Sequence, residues 1–226
     1  AFKTVSGENN TQLIDYCDNI LNSLGAVSFR TYDEEEKRVN LFSTIKAKKK
    51  SKKKPIILSG HTDVVPVSKG WATDPFDATI KDDKLFGRGS CDMKGFIACA
   101  LAYAPIFSSS NLDRDIHFSF TFDEETACIG APILIKELKK REIHDCICIV
   151  GEPTNPNKLG EMIKIGRRGS LSGVIEISGS QGHVAYPHLS NNPISTLVGI
   201  CKKLKEKKLD AGNKNFQPSN LEFTSI

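Results

Sequence analysis

Residues 55–65, PIILSGHTDVV, begin with an apolar run and end in a histidine and an aspartate, His61 and Asp63. The run has the length and composition of a buried strand, so His61 is expected where that strand ends. Two later stretches repeat the arrangement, DIHFSFTFDEE at 115–125 and CICIVGEPT at 146–154. A histidine or carboxylates therefore follow three predicted strands.

Helical patterns alternate with these strands, which indicates an α/β fold whose mostly parallel sheet is covered by helices on both faces. An early hairpin, 38–46 with 55–60, is expected to add an antiparallel part. In such sheets ligands bind beyond the carboxyl ends of the strands. The predicted helices are 9–24, 93–104 and 130–141, and the predicted strands are 38–46, 55–60, 115–122 and 146–150.

The pattern changes after GEPT, where apolar and polar residues alternate at 161–165 and 171–178, as in half-exposed antiparallel strands. Helix 193–207 and a last strand in LEFTSI are expected to follow. We therefore predict a catalytic domain at 1–163 and a partial lid or dimerisation domain, smaller and of α+β type, at 164–226. The chain opens at AFKTVS without a methionine and stops within an unfinished sheet, so parts of the catalytic domain at both ends are expected to be missing.

The charge of the chain is concentrated in one place. Seven lysines lie in KAKKKSKKK at 46–54. Without them the chain has 24 of its 31 basic residues against 27 acidic ones, so the remainder is slightly acidic. The simplest interpretation of this stretch is a solvated hairpin tip; a polyanion-binding patch is a weak alternative. Nucleic acid is not expected as a partner. Neither is a membrane, because no apolar run reaches the length of a membrane span.

The cysteines indicate a reducing compartment. There are seven, an odd number, and no CxxC pair that would form a zinc ribbon. Reduced thiols fit a cytoplasmic protein.

The acidic clusters have both structural and functional interpretations. Asp63 lies two residues after His61, so its carboxylate could accept one imidazole N–H and leave the other nitrogen for a metal. Asp92 in GRGSCDMKG is either a helix N-cap or a carboxylate shared by two cations. Adjacent carboxylates such as Glu124 and Glu125 repel each other unless a cation or proton lies between them, although a solvated acidic turn is the alternative. Glu152, at the top of a predicted buried strand, is a candidate ligand.

Mostly oxygen ligands with some imidazole suit zinc, cobalt or manganese better than a thiolate site would. Competing motifs are missing from the sequence: HExxH, GxSxG, GxxxxGK and a complete GxGxxG. The sequence therefore favours a metallohydrolase.

With SGHTDVVPV, WATDPF, LFGRGSCDMKGFIA, DEE and VGEPT in this order, the chain resembles the dinuclear zinc aminoacylase and carboxypeptidase family. The resemblance implies two divalent metal ions, with zinc preferred over cobalt or manganese. It implies that His61, Asp92 and Glu152 bind one ion and that Asp92 and Glu125 bind the second. Glu124 would be the general base, and Asp63 would orient His61.

In the second domain, GRRGSLSG and SGSQGHVAYPHLSNNPI are similar to the branch that removes succinyl groups from diaminopimelate. The resemblance implies that His183 reaches the active site of a partner subunit in a homodimer formed through the smaller domain, where it would act catalytically by helping to hold the reacting carbonyl. Arg167 or Arg168, with Tyr186, would bind the substrate, since arginine offers a planar fork to a carboxylate. The family's last metal-binding histidine and its C-terminal loops have no counterpart in this sequence.

The expected activity is hydrolysis of the N-acyl amide of an amino acid by a metal-activated water. The preferred substrate is N-succinyl-LL-2,6-diaminopimelate, which would give succinate and diaminopimelate for lysine and cell-wall synthesis. The catalytic half, with GHTDVVPV and DEETACIGA, leans instead toward the branch that deacetylates acetylornithine for arginine synthesis. A non-catalytic dimerisation or binding module is the alternative from another class.

Overall fold

A mixed five-stranded sheet lies at the centre of the first part of the chain. The computed structural model describes residues 2–49 and 51–226, which divide into two compact units, Ala1–Met162 and Ile163–Ile226. The helices of the first unit are α1 (Thr11–Ser23), α2 (Lys94–Ser109) and α3 (Gly130–Lys140). Its strands are β1 (Val27–Tyr32), β2 (Val39–Ile45), β3 (Ile56–His61), β4 (Thr79–Lys81), β5 (Lys84–Phe86), β6 (Ile116–Thr121) and β7 (Ile147–Val150).

The strand order in the sheet is β1-β2-β6-β3-β7. The pairs β1–β2 and β2–β6 are antiparallel, whereas β6–β3 and β3–β7 are parallel. The expected α/β class is confirmed, with the parallel strands forming one half of the sheet. Strands β4 and β5 form a separate antiparallel pair. Neither this pair nor β1 was predicted from the sequence.

The expected hairpin between β2 and β3 is wrong, because β6 lies between them. The sequence IHFSFT of β6 is buried over five of its six residues, and it takes the central position where both faces of a strand are covered. The lysine-rich connection after β2 therefore crosses one strand. It is easily long enough, since neighbouring strands are only about 5 Å apart.

The lysines of this connection pair with aspartates at the starts of the strands they pass. Lys46 contacts Asp115 at 2.9 Å, Lys53 pairs with Asp113, and Lys54 pairs with Asp145. Lys50 lies outside the described residues. These pairs give the lysine run a local structural role in place of the hairpin tip, although exposed ion pairs stabilise a fold only weakly.

Helices cover both faces of the sheet. One core contains Leu41 of β2 and Phe118 and Phe120 of β6, packed under α1 and α2. Because side chains alternate along a strand, Phe42 and His117 point to the opposite face, where α3 contacts β1, β2 and β6. This packing holds the carboxyl ends of β3, β6 and β7 in fixed positions.

The second unit contains a 3₁₀ helix, Pro187–Leu189, and helix α4, Pro193–Glu206. Helix α4 confirms the prediction for 193–207, and the Asn192 side chain caps it by accepting the N–H of Ile194 at 2.9 Å. The strands predicted at 161–165, 171–178 and in LEFTSI are wrong: within the described residues, no segment there pairs into a strand. Ile165 and Leu171 are almost fully exposed, so the alternating pattern has no sheet to pack against.

No helix within residues 2–49 and 51–226 combines the length and apolar character needed to cross a membrane. No disulfide bond links the seven cysteines, all of which lie in the described part of the chain.

His117, buried within β6, should make the fold sensitive to acid. Burial lowers the pKa of His117 from 6.5 to about 4, and the charge of Asp115 offsets this only partly. Below pH 6.5 the unfolded chain therefore binds a proton at this imidazole that the folded chain does not bind. The free energy of unfolding keeps its full contribution from His117 above pH 6.5 and decreases toward pH 4. Between pH 7 and pH 5 the free energy of unfolding should drop by about 2 kcal/mol through this residue.

Urea unfolding at the two pH values measures this drop. His117→Gln, which can still bond to the Thr44 hydroxyl that lies 2.9 Å from the ring, should show a correspondingly smaller fall. Equal falls in the two proteins would remove His117 as the cause.

Candidate metal centre

The carboxyl ends of the three parallel strands meet at one edge of the sheet. His61 is the last residue of β3, Glu124 and Glu125 follow β6, and Glu152 follows β7. Because β3 lies between β6 and β7 and runs parallel to both, these side chains reach the same edge.

The imidazole of His61 lies at the centre of the group and is almost fully buried. Its Nε2 is 3.0 Å from Asp92 Oδ1 and 3.5 Å from Glu152 Oε1. Its Nδ1 is 2.9 Å from the backbone carbonyl oxygen of Asp63 and 3.4 Å from the Asp63 carboxylate. An Nδ1–H bonded to that carbonyl leaves Nε2 as the nitrogen that faces the carboxylates.

The carboxylate of Asp63 holds the glutamate pair. It accepts the backbone N–H groups of Glu124 at 3.0 Å and Glu125 at 3.2 Å, and the hydroxyl of Ser6 at 2.7 Å. This contact was missed in the sequence, where the partners are 57 to 62 residues apart and no local pattern connects them. Asp63 therefore links the turn after β6 to the loop that follows His61.

Asp92 does not cap the helix that follows it, so the N-cap interpretation is wrong. Helix α2 begins at Lys94 with Met93 at the N-cap position, and among the residues that the structure describes no side chain caps it. The Asp92 side chain points to His61 and is about half exposed, at 49%. A half-exposed carboxylate directed at an imidazole can hold a cation.

The donor atoms form two groups that share His61. His61, Glu124 and Glu152 form one group, and His61, Asp92 and Glu125 form the other. Within each group the candidate ligand atoms lie within 4.8 Å of one another. One imidazole with carboxylates is a donor set that zinc, cobalt and manganese accept, so the residues fit a divalent cation.

The electrostatics of the group also favour a cation. Burial lowers the pKa of His61, but the hydrogen bond and charge of Asp63 and the charge of Glu152 outweigh it and raise that pKa to about 9. Burial and the charge of Asp92 raise the pKa of Glu125. Crowded carboxylates that favour a protonated imidazole would equally favour a metal ion.

Glu152 follows an exposed strand, whereas the sequence indicated a buried one. Strand β7 forms the edge of the described sheet, and Ile149 and Val150 are 48% and 58% exposed. The position of Glu152 is set instead by Gly151, whose N–H bonds to the carbonyl of Ser59 at 3.2 Å. The ring of Phe96 from α2 packs against this glycine.

Gly151→Ala should disturb the site. A Cβ at this position would lie 2.0 Å from Cγ of Phe96, so either the ring or the backbone next to Glu152 must move. We expect a loss of about 1–3 kcal/mol in stability from overpacking. We also expect weaker zinc binding, measured by calorimetry.

The control is Gly173→Ala, because a Cβ there meets nothing within 4 Å. Zinc affinity unchanged by Gly151→Ala would show that Glu152 does not depend on this close packing.

The remaining predicted residues belong to the second unit, Ile163–Ile226. Arg167 and Arg168 are exposed. The rings of His183 and Tyr186 lie 5.6 Å apart, and His183 Nδ1 accepts the N–H of Ala185 at 3.1 Å. Their roles toward substrate and partner subunit stay predictions.

The chain is similar to known metal-dependent hydrolases. Residues 57–219 match the family described as Peptidase family M20/M25/M40. A succinyl-diaminopimelate desuccinylase of Gluconobacter oxydans (strain 621H) is 47% identical over 173 residues, covering 76% of this chain and 45% of that protein. The enzyme of the same name from Pelagibacter ubique (strain HTCC1062) is 46% identical, covering 75% of this chain and 46% of its own length. The chain thus spans a little under half the length of these relatives.

Solved structures show the same fold. A metallo-carboxypeptidase of the M20 family from Sulfolobus solfataricus, Sso-CP2, superposes with a TM-score of 0.65 at 18% identity, over 96% of this chain and 48% of that one. The aminopeptidase PepT from Bacillus cereus ATCC 10987 gives a TM-score of 0.60 at 18% identity, over 92% and 56% of the respective chains. These likenesses confirm the zinc-peptidase-like architecture.

Proposed function

We propose, from the premise that the chain belongs to peptidase family M20/M25/M40, that it is a metal-dependent hydrolase of N-acyl amino acids. Membership of this family confirms the resemblance identified from the motifs. The preferred reaction is hydrolysis of N-succinyl-LL-2,6-diaminopimelate to succinate and LL-2,6-diaminopimelate. The names of the curated relatives support this choice of substrate.

One observation carries the proposal. His61 and the carboxylates of Asp92, Glu124, Glu125 and Glu152, which are far apart in sequence, converge at one edge of the sheet. Structural stability gives no reason to collect four carboxylates around a buried imidazole, because their mutual repulsion costs free energy. A catalytic cation site accounts for all of them.

Two divalent cations are proposed, with zinc preferred and cobalt or manganese as alternatives. His61, Asp92 and Glu152 would hold one, and Asp92 and Glu125 would hold the second. Bound cations would supply Lewis acidity that polarises the amide carbonyl and acidifies water enough to attack near neutral pH.

Glu124 is the proposed general base. Its carboxylate would take a proton from the attacking water and then deliver it to the nitrogen of the leaving amine, so that the amide C–N bond breaks and a free amine and an acid result. The two backbone hydrogen bonds from the turn to Asp63 would hold in place the backbone that carries this carboxylate.

The second unit would supply substrate contacts. Arg167 or Arg168 would bind a carboxylate of the substrate, and Tyr186 would contact the substrate. His183 would help to hold the reacting carbonyl in the active site of a partner subunit in a homodimer. The cytoplasm is the proposed location, in keeping with seven cysteines that no disulfide bond links in the described part of the chain.

The test is hydrolysis of two substrates by the zinc-loaded and cobalt-loaded protein. We expect kcat/KM for N-succinyl-LL-2,6-diaminopimelate to exceed that for N-acetylornithine by roughly 100-fold or more. The reason is that enzyme groups that bind the succinyl carboxylate would have no partner on an acetyl group. The opposite preference would establish the acetylornithine alternative. Metal binding and dimerisation without turnover of either substrate would indicate a binding module.

A further inference from the structure

We propose that Arg38 is a positioning residue for the turn that carries Glu124 and Glu125, acting through Asp123. The inference rests on the proposed function, in which that turn holds the general base and a metal ligand. Arg38 immediately precedes β2, and its guanidinium bonds to Asp33 and Asp123. Its effect would pass through one buried carboxylate.

The guanidinium of Arg38 is held between two aspartates. Its Nε donates to Asp33 Oδ2 at 2.9 Å, and its Nη1 donates to Asp123 Oδ2. The other oxygen of Asp33 accepts the backbone N–H groups of Lys37 and Arg38 at 2.8 and 2.9 Å. The bonds to Asp33 therefore hold both the backbone N–H and the Nε of Arg38, which fixes the position of the guanidinium that binds Asp123.

Asp123 is the residue that transmits this restraint. It is 1% exposed, it directly precedes Glu124, and its φ of +50° lies in the left-handed region that non-glycine residues seldom adopt. Such a conformation persists only where surrounding contacts hold it. Here the two carboxylate oxygens bind Arg38 and the N–H of Gly7, the latter at 2.8 Å.

The glutamate turn is thus held from two sides. Asp63 accepts the N–H groups of Glu124 and Glu125, and Arg38 holds the carboxylate of the preceding residue. The two restraints differ in charge: Asp63 adds another negative group to the site, whereas the guanidinium of Arg38 offsets one. Arg38 is 23% exposed on its side chain, so this ion pair is only partly screened by solvent.

Loss of Arg38 should release the turn. The buried carboxylate of Asp123 would lose its bond to the guanidinium of Arg38. Asp123 could then leave its left-handed conformation, and the backbone of Glu124 could shift with it. A displacement of about 1 Å in a catalytic group can lower a rate by about 100-fold. Because Glu125 moves with the same turn, metal binding should weaken as well.

The experiment compares Arg38→Ala with Arg30→Ala. Arg30 is a matched control: it also bridges two aspartates, Asp15 at 2.6 Å and Asp18 at 2.7 Å, with a side chain 25% exposed, but its partners lie on α1. Arg38→Ala should lower kcat about 100-fold with KM nearly unchanged. Arg30→Ala should lower thermal stability comparably and leave kcat close to that of the unchanged protein.

Two readouts separate positioning from a loss of folding. Millimolar guanidinium should restore part of the kcat of Arg38→Ala and none in Arg30→Ala. Arg38→Lys is a milder change, because it keeps the charge but cannot donate to both aspartates through one planar fork. Its kcat should lie between those of Arg38→Ala and Arg30→Ala. Equal kcat losses in Arg38→Ala and Arg30→Ala, or no restoration by guanidinium, would overturn the inference.

Metal binding tests the inference independently of turnover. Zinc titrated calorimetrically into folded Arg38→Ala should bind about 10- to 100-fold more weakly than into the unchanged protein, as for other residues that orient ligands. If the unchanged protein hydrolyses neither substrate, the proposed function fails while this comparison still stands. Zinc affinity equal in the two proteins would overturn the role of Arg38.

Discussion

Replacing Glu124 by glutamine should abolish nearly all turnover while leaving the metal content close to that of the unchanged protein. The change keeps the size of the side chain and removes only its capacity to take a proton. General bases typically contribute about 10²- to 10⁴-fold to a rate, so kcat should fall within that range. The measurement is kcat on the preferred succinyl substrate, with zinc counted per chain by elemental analysis.

The metal count decides between two roles, because Glu124 also lies within 4.8 Å of donor atoms on His61 and Glu152. As general base, Glu124 is dispensable for metal binding, and Glu124→Gln should keep its zinc. Glu125→Gln should instead lose zinc, since its carboxylate is a proposed ligand. The two neighbouring substitutions should therefore separate turnover from metal binding.

Glu34→Gln serves as the control, because Glu34 is exposed in the loop between β1 and β2. Full activity of Glu124→Gln would remove it as the base. Loss of zinc together with activity would reassign Glu124 as a ligand and leave the proton transfer to another residue.

The sequence predicted the strand ends that form the site because the signal there is local. An apolar run followed by His61, or by Glu124 and Glu125, is visible within ten residues, and parallel strands bring such ends together. The convergence of His61, Glu125 and Glu152 on one small region followed from this rule, whereas Asp92 follows no predicted strand and was expected there from the resemblance. Their division between two ions stays a prediction.

The order of the strands could not be predicted in the same way. Strands β2 and β3 are neighbours in sequence, yet β6 pairs with both, and a local pattern does not reveal which distant strand will be inserted. The hydrogen bonds of Asp63 and the ion pair of Arg38 with Asp123 were hidden for the same reason, since they join residues 57 to 85 positions apart. Alternation at 171–178 shows the opposite failure: a strand pattern forms no strand where no neighbour pairs with it within the described residues.

His61→Ala should have the largest effect on metal binding. Its Nε2 faces both Asp92 and Glu152, so its loss removes the imidazole ligand from the ion proposed for these three residues. Residues that merely orient ligands are worth about 10- to 100-fold in metal affinity, and a ligand itself should cost at least about 100-fold. Zinc titration by calorimetry measures this loss.

Removal of one carboxylate gives the comparison that makes the result specific. Glu152→Gln takes a donor from the group with Glu124 and leaves His61, Asp92 and Glu125 in place. It should therefore weaken binding of the same ion as His61→Ala does, whereas Glu125→Gln should weaken binding of the other. His144→Ala, at an exposed histidine away from the three strand ends, should change neither.

The interpretation of His61→Ala depends on the fold surviving, because His61 is 2% exposed and bonds to the carbonyl of Asp63. Thermal unfolding of the metal-free proteins separates the two effects: a metal-free variant that unfolds near the temperature of the metal-free unchanged protein has lost ligands and kept its sheet. Zinc bound with undiminished affinity by a folded His61→Ala would contradict the proposed centre, since the ion assigned to His61, Asp92 and Glu152 would have lost its imidazole ligand.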